Sequence, residues 1–254
     1  MRNPRLFIDQ NLAAGSRVAL TGNAAQHLGR VLRARAGEQI SLFNGNGLEY
    51  VATIANVSKY EVSVDVGEAH SPDTESLVRT ALGLCVSKGD RFEWGIQKAT
   101  ELGVGAIIPL NSERVDFAIP ADRVEKRVAH WQQIAISACE QCGRVRVPSI
   151  TPPQSLLSWI ENVSAEQKWV LHCVDNADAF SPTVPRETPQ DAALLIGPEG
   201  GLTDREFDAA SAVGFKLLQL GPRVLRTETA PAVALSVLSV FWGEMPAGSG
   251  LYNP

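Results

Sequence analysis

The chain has 254 residues, of which 44% are hydrophobic and 20% charged, and its net charge is −5. That length allows one large domain or two modest ones with a substantial core, and that composition excludes disordered and collagen-like chains. Four cysteines are too few for a secreted disulfide framework. The opening segment has no apolar run typical of a signal peptide, and the longest apolar stretch, 230–242, is shorter than the roughly 20 residues that span a bilayer. We therefore expect a cytoplasmic protein without a membrane span.

Charge is distributed unevenly along the chain. Residues 1–36 contain six arginines and one acidic residue, Asp9, so this segment has a net charge of +5 within a chain of net charge −5. The negative net charge of the whole chain argues against a nucleic-acid partner. A basic end, however, indicates either a contact surface for nucleic acid on one module or a solvated basic face.

Residues 1–70 have the pattern of a small, mostly β module. Alternating or apolar runs predict strands at 39–43, 48–57 and 61–66, with turn residues between them at 44–47 and 58–60. One short helix is predicted to begin with Asn23 as its N-cap and to end near Arg35.

This short helix carries a basic stripe. At 100° per residue, His27, Arg30 and Arg33 fall on one side. The apolar residues of the helix fall on the other side: Leu28, Val31 and Leu32. A basic stripe on a β module could contact a phosphate backbone, and the few aromatic residues around it give no indication of base stacking.

The polar segment 67–75, which contains Pro72, is predicted to be a linker to a second domain, 76–254. Strand-like runs alternate with helical patterns from there on, which predicts an α/β layer with a mainly parallel sheet. The predicted strands are 78–86, 105–110, 168–174, 192–196 and 216–220, and the predicted helices are 90–102, 122–141, 155–162, 203–213 and 227–242. Capping boxes are predicted at Asp90–Glu93 and Thr203–Glu206.

The first candidate site is the segment Gly197–Gly201, where an apolar strand is followed by three glycines in five residues and then by a capped helix. In parallel sheets, ligands bind outside the carboxyl ends of the strands. Glycines allow a ligand to approach the backbone, and Glu199 is the only functional side chain here. The loop lacks the phosphate-binding P-loop and dinucleotide patterns, so the alternatives are a ligand loop of another kind and a tight turn.

A second strand end has the same character. The segment 220–232 joins a Gly-Pro turn to a helix of small residues, and Arg223, Arg226 and Glu228 crowd the start of that helix. The two strand ends could line one pocket, or they could be two ordinary loops.

The motif Cys139-x-x-Cys142 ends the long predicted helix. No second cysteine pair stands at metal spacing, and neither His130 nor His172 completes a metal-site pattern, so we expect no metal. The polar residues at this helix end could be structural or could line a site: Glu140, Gln141 and Arg144.

These segments together resemble one family, the SPOUT-type methyltransferases of the ribosomal RNA small subunit methyltransferase E type, which modify N3 of a uridine in 16S ribosomal RNA. The resemblance spans nearly the whole chain, and the last two stretches are the most specific in combination. The matching stretches are 27–33 (HLGRVLR), 88–104 (KGDRFEWGIQKATELGV), 140–144 (EQCGR), 196–201 (IGPEGG) and 220–230 (LGPRVLRTETA).

The resemblance implies an N-terminal PUA-like β-barrel for RNA, a C-terminal α/β domain with a trefoil knot, S-adenosylmethionine bound in that knot, and a homodimer. The implied cofactor-binding residues are Leu171, His172, Ile196, Gly197, Pro198, Glu199, Gly200, Gly201, Leu220, Gly221, Leu225, Arg226, Thr227 and Ala230. The predicted RNA contacts are His27, Arg30, Arg33, Lys88, Arg91, Glu140, Gln141 and Arg144.

The chemistry of uridine leads to two predicted catalytic residues. The N3 proton must leave before or during methylation, and negative charge then spreads over the two flanking carbonyl oxygens. A guanidinium at a helix start would stabilise that charge, so we predict Arg226 in this role. Glu199 is predicted to balance the sulfonium charge or to accept the proton.

Two other functions fit the same sequence. A related SPOUT enzyme acting on a ribose 2′-hydroxyl would need the same cofactor pocket. An RNA-binding assembly factor without catalysis would need only the basic module, although the intact glycines of both loops argue against a decayed pocket.

Overall fold

A computed structural model describes residues 3–115, 119–172 and 188–245. The chain divides into two compact units. Unit 1 comprises residues 1–75 and 139–147, and unit 2 comprises residues 76–138 and 148–254. None of the helices in the described ranges combines the length and the apolar character needed to cross a membrane.

Unit 1 contains a five-stranded sheet with the order β1-β3-β4-β5-β2. The strands are β1 (Arg5–Phe7), β2 (Arg17–Leu20), β3 (Gln39–Phe43), β4 (Glu49–Val57) and β5 (Val62–His70). The alternation that predicts β5 is confirmed, because Val62, Val64 and Val66 are buried. The prediction omitted β1 and β2, since three or four residues are too few to show a period.

The predicted linker 67–75 is wrong in its first half. β5 continues to His70, and Gly67 lies within it where the pairing with β4 shifts register. A Cβ on Gly67 would lie 2.9 Å from the carbonyl oxygen of Val51. This glycine therefore serves a close approach within a sheet and does not mark a flexible connection.

The short helix also differs from its prediction. Helix α1 spans Gly22–Gln26 with Thr21 at the N-cap position, so Asn23 is not the cap, and a π-helical turn follows at His27–Val31. The amide of Leu32 donates to the carbonyl of His27, five residues back. This wider turn alters the helical period, so Leu28 is buried whereas Leu32 and its neighbour Val31 are exposed.

Unit 2 contains a sheet with the strand order β12-β10-β11-β6-β7-β8, and β9 also pairs with β7. All of these pairings are parallel, so the predicted parallel α/β layer is confirmed. The strands are β6 (Arg79–Cys85), β7 (Ala106–Asn111), β8 (Ser149–Ile150), β9 (Gln154–Ser155), β10 (Gln167–Leu171), β11 (Asp191–Ile196) and β12 (Lys216–Leu217). The helices are α2 (Asp90–Glu101), α3 (Ala121–Cys142), α4 (Leu156–Asn162), α5 (Asp204–Ala212) and α6 (Thr229–Phe241).

One of the two predicted capping boxes is present. Thr203 accepts a hydrogen bond from the amide of Glu206, and the Glu206 carboxylate accepts one from the amide of Thr203, so α5 starts as predicted. The other is wrong, because Gly89 is the N-cap of α2 and Asp90 is already helical.

Two strands end earlier than predicted. β12 ends at Leu217, and the amide of Leu218 then donates to the carbonyl of Val170 before the chain leaves the sheet. β10 ends at Leu171, and residues 173–174 of its prediction lie outside the described residues.

The end of α3, from Cys139 onward, belongs to unit 1 and is held there by Arg5. The guanidinium of Arg5 donates to four carbonyl oxygens, those of Cys139, Glu140, Gly143 and Arg144, at 2.6–3.1 Å. The carbonyls of Cys139 and Gly143 also accept from the Gly143 amide and the Thr74 hydroxyl, so the guanidinium supplements these bonds and caps the helix C-terminus with a largely buried cation.

Candidate active site

The carboxyl ends of β10, β11 and β12 meet at one edge of the parallel sheet, and the residues that follow them surround a cavity of about 1030 Å³. Every residue that the resemblance assigns to the cofactor lines this cavity. The structure thus brings together three segments that are far apart in sequence. A single ligand can contact all three loops at once.

The glycine loop, 197–201, is fixed between β11 and α5. Gly201 has φ +72°, a conformation that favours glycine, and its amide donates to the carbonyl of Pro198 at 2.9 Å. A Cβ on Gly197 would lie 3.0 Å from Cγ of Leu202. The loop therefore presents backbone to the cavity.

Arg114, which no sequence motif marks, holds this loop in place. Its Nη1 donates to the carbonyl of Gly200 at 2.9 Å and to that of Leu202 at 3.3 Å. Arg114 follows β7 and lines the same cavity. Because it lies 86 residues before Gly200, no local sequence signal could reveal this contact.

The segment 218–228, after β12, forms another wall. Gly221 has φ +100°, and a Cβ built on it would have no atom within 4 Å. The carbonyl of Arg226 accepts from the amides of Thr229 and Ala230, which starts α6. The side chain of Arg226 is 79% exposed, and its Nη1 lies 3.9 Å from Oε1 of Glu228. Arg226 is therefore at the rim of the cavity and is only loosely held.

Glu199 is paired with a residue of α2. Its Oε1 lies 3.1 Å from Nη1 of Arg91, which was predicted to contact RNA and which also lines the cavity. Lys88, also predicted to contact RNA, is exposed just before α2.

Two residues of the cavity wall carry buried acceptor atoms without a hydrogen-bond partner among the described residues, Gln219 Oε1 and Glu228 Oε2. An unsatisfied buried acceptor destabilises a protein by about 1–3 kcal/mol, and such atoms in native structures are typical of sites that a ligand completes. Apolar side chains such as Leu171 and Ile196 supply the remaining surface. This mixture fits S-adenosylmethionine, which has an adenine ring and several N–H and O–H donors.

Two family models match the chain. One, described as an RNA methyltransferase domain, matches residues 74–239, and the other, described as an RNA methyltransferase PUA domain, matches residues 20–66. A ribosomal RNA small subunit methyltransferase E of Bacillus subtilis (strain 168) is 34% identical over 245 residues, which cover 92% of this chain and 95% of that protein. The chain belongs to the ribosomal RNA small subunit methyltransferase E family.

Solved structures agree with this membership. The ribosomal RNA small subunit methyltransferase E of Neisseria gonorrhoeae, bound to S-adenosylmethionine, superposes with a TM-score of 0.87 at 36% identity and covers 95% of this chain and 98% of its own. A Legionella pneumophila methyltransferase in complex with S-adenosylmethionine gives 0.88 at 40% identity, with 94% and 98% covered. The protein is thus a methyltransferase with a mixed α/β fold and a PUA-like N-terminal domain.

The structure separates those predicted RNA contacts of this methyltransferase that lie in unit 1 into two groups. His27, Arg30, Arg33 and Gln141 are exposed in unit 1 and remain candidates. Arg144 is placed unfavourably for an RNA contact, because its side chain is 5% exposed and its Nη2 lies 2.9 Å from Oε2 of Glu75.

Glu140 is likewise occupied within unit 1. Its Oε1 accepts from the amide of Phe7 at 3.0 Å. Burial raises the pKa of the Glu140 carboxyl, and the Phe7 amide, His27 and Arg5 oppose that shift. We therefore assign Glu140, like Arg144, to the stability of unit 1.

Cys139 lacks the character of a metal ligand. Burial raises the pKa of the Cys139 thiol to about 12, so this thiol stays protonated at neutral pH, whereas a metal binds the thiolate. Across the described ranges, no group of three or more His, Cys, Asp or Glu side chains could hold a metal ion.

Proposed function

We propose that this protein transfers the methyl group of S-adenosylmethionine to N3 of a uridine in 16S ribosomal RNA. The observation that carries the proposal is the cavity at the sheet edge, which all the cofactor residues implied by the family line together. The names of the relatives, and the S-adenosylmethionine bound in two similar structures, support the cofactor and the RNA substrate.

The residues of the cavity divide into a binding part and a reacting part. When bound, S-adenosylmethionine supplies an electrophilic methyl group on a positively charged sulfur. The backbone of the glycine loop and the apolar residues Leu171, Ile196, Leu220 and Leu225 would hold its nucleoside portion. Positioning of this kind lowers the barrier to transfer by removing the entropy cost of bringing the two reactants together.

Arg226 acts on the substrate in this proposal. Loss of the N3 proton to solvent leaves negative charge on the two uracil carbonyl oxygens, and a guanidinium offers a planar pair of donors to such oxygens. Arg226 stands at the start of α6, where the backbone amides add positive potential. Its exposure at the rim leaves it free to meet an incoming base.

Glu199 has a different task. One of its carboxylate oxygens is already paired with Arg91. We therefore assign Glu199 to balancing the positive charge of the cofactor, and Arg91 to holding Glu199 in place.

The finer architecture belongs to the same proposal. We assign RNA binding to the PUA-like β-barrel at 1–70 and methyl transfer to a SPOUT domain at 76–254 that contains a trefoil knot. We further propose that the protein is a cytoplasmic homodimer and that it holds no metal. A second chain would supply the wall that a shallow cavity needs to enclose an RNA base. Light scattering at micromolar concentration tests the dimer. Twice the mass of one chain is expected, and the mass of a single chain would contradict it.

The experiment that tests the function uses small ribosomal subunits that lack the modification. The protein is incubated with them and with S-adenosylmethionine labelled on its methyl group. Label should enter the 16S RNA with the wild-type protein and not with Gly221→Val, which adds a side chain and backbone strain at a residue that lines the cavity. Equal incorporation by both proteins would refute the proposed site, and no incorporation by either would refute the function.

A further inference from the structure

We propose that the RNA-binding surface of unit 1 extends to the end of the β4–β5 hairpin, where Tyr60 stacks on a base of single-stranded RNA. The surface consists of Lys59 and Tyr60 in the hairpin turn and of Arg30, Arg33 and Arg35 beside it. The inference rests on the proposed function only for the identity of the nucleic acid.

Two contacts place the arginine-bearing segment beside the hairpin. A Cβ on Gly29 would lie 3.8 Å from Cγ1 of Val57, the last residue of β4. The amide of Gly37 donates to the carbonyl of Ile54 at 2.8 Å. The segment between these glycines therefore runs along the end of β4 that leads into the turn.

Tyr60 is presented by a well-defined turn. The amide and the hydroxyl of Ser58 both donate to the carbonyl of Glu61, at 2.8 and 2.9 Å. Tyr60 is 72% exposed, and Nζ of Lys59 lies 5.1 Å from the centroid of its ring. An exposed ring beside a cation is the arrangement on which unpaired bases stack, and the ring can accept any base because each has a π-face.

The neighbouring arginines are unpaired. Arg30, Arg33 and Arg35 are exposed, and no ion pair to them occurs in the described part of the chain. By contrast, Arg17, on β2 of unit 1, is paired with Asp65. Three unpaired cations on a segment that runs along the same end of β4, together with the exposed ring in the turn, are suited to a phosphate backbone with an unstacked base.

The backbone here is also unusual. Arg33 has φ +52° and is the one non-glycine residue with positive φ among the described residues. It directly follows the π-helical turn His27–Val31 and Leu32. Strained residues and π-turns cluster at functional sites, because a structure retains their cost where a special side-chain position is needed.

The test measures binding of a short fluorescent oligouridine by anisotropy at several salt concentrations. Tyr60→Ala should weaken binding about 5- to 100-fold, whereas Tyr60→Phe should stay within about twofold, since the ring remains. Neither change should alter the salt slope, because no phosphate contact is lost. Arg33→Ala should flatten that slope by about 0.7 for a single strand.

Leu77→Ala removes another exposed apolar side chain and serves as the matched control. Wild-type affinity in Tyr60→Ala would overturn the inference, as would a loss in Tyr60→Phe as large as that in Tyr60→Ala. If the wild-type protein methylates small subunits, either of these binding results would refute the proposed RNA-binding surface and leave the proposed function intact. Failure of the wild type to methylate small subunits would refute the proposed function, while the oligouridine assay would still report on Tyr60.

Discussion

Nη1 of Arg91, in the first turn of α2, lies 3.1 Å from Oε1 of Glu199 in the glycine loop, and both side chains are about half exposed, at 51% and 42%. An ion pair this exposed contributes only about 0–1 kcal/mol to stability. Its importance therefore lies in where it fixes the Glu199 carboxylate at the cavity wall.

The first prediction concerns this pair. Arg91→Ala should lower the melting temperature by less than about 4 °C, because so exposed a pair adds little to folding. Methyl transfer to the RNA should fall at least severalfold, because Glu199 loses its partner and the cavity loses a cation. Arg79→Ala breaks the similarly exposed pair with Asp191, away from the cavity, and should leave transfer unchanged. Equal activity in the two variants would contradict the role given to Arg91.

The second prediction uses the backbone of Gly221. Gly221→Val should abolish binding of S-adenosylmethionine in calorimetry, because its Cβ would enter open space at the cavity wall and its φ of +100° would be strained. Gly15→Val is the matched control, since Gly15 has φ +81° and equally open surroundings within unit 1. That control should lose stability and keep cofactor affinity. Normal affinity in a folded Gly221→Val protein would place the cofactor elsewhere.

Gly200 is a weaker choice for this test than the glycine pattern suggests. It is not among the glycines with positive φ, and a Cβ on it would meet Cβ of Arg114 at 3.4 Å. An added side chain there would pack against Arg114, so the variant would test the contacts of Arg114 as well as the cofactor.

The third prediction compares Arg114 with a nearby arginine that does not line the cavity. Arg114→Met should weaken S-adenosylmethionine binding about tenfold, because the carbonyls of Gly200 and Leu202 lose a charged donor and the glycine loop loosens. Arg205→Met removes a nearby exposed cation, paired with Glu113, that does not line the cavity. Calorimetry on both variants decides the matter, and equal affinities would mean that the loop is rigid without Arg114.

The parts of this site that the sequence predicts are those whose signal is local. An apolar strand followed by glycines marks the residues after β11, and the Gly-Pro turn marks those after β12. The capping box Thr203–Glu206 is complete within four residues, and it forms as predicted. Parallel pairing then gathers the strand ends at one edge.

The missed features depend on contacts between distant residues or on a changed backbone period. Arg144 resembles a surface residue in sequence, yet its partner Glu75 is 69 residues away. Gly67 resembles part of a linker, although its neighbour Val51 explains it. The exposed Leu32 follows from a π-turn, which a period of 3.6 residues cannot foresee.

The fourth prediction concerns Arg226. Arg226→Ala should reduce single-turnover methyl transfer about 10²- to 10³-fold while cofactor affinity stays within a fewfold, because the guanidinium acts on charge that develops on the uracil. Arg226→Lys should recover only part of the rate, since it keeps the charge and loses the planar pair of donors.

Arg223→Ala is the control for that variant, because Arg223 is an exposed arginine of the same cavity wall. Its rate should fall far less. If melting temperature, cofactor affinity and rate all fell together in Arg226→Ala, Arg226 would be a structural residue that acts through Glu228.

Transfer of the methyl group to uracil N3 is tested by mass spectrometry of the nucleosides released from 16S RNA after unmodified small subunits have reacted with the protein and S-adenosylmethionine. We expect a single 3-methyluridine, absent from the reaction with Gly221→Val. A nucleoside methylated on the ribose 2′-oxygen, or RNA without added methyl groups, would contradict it.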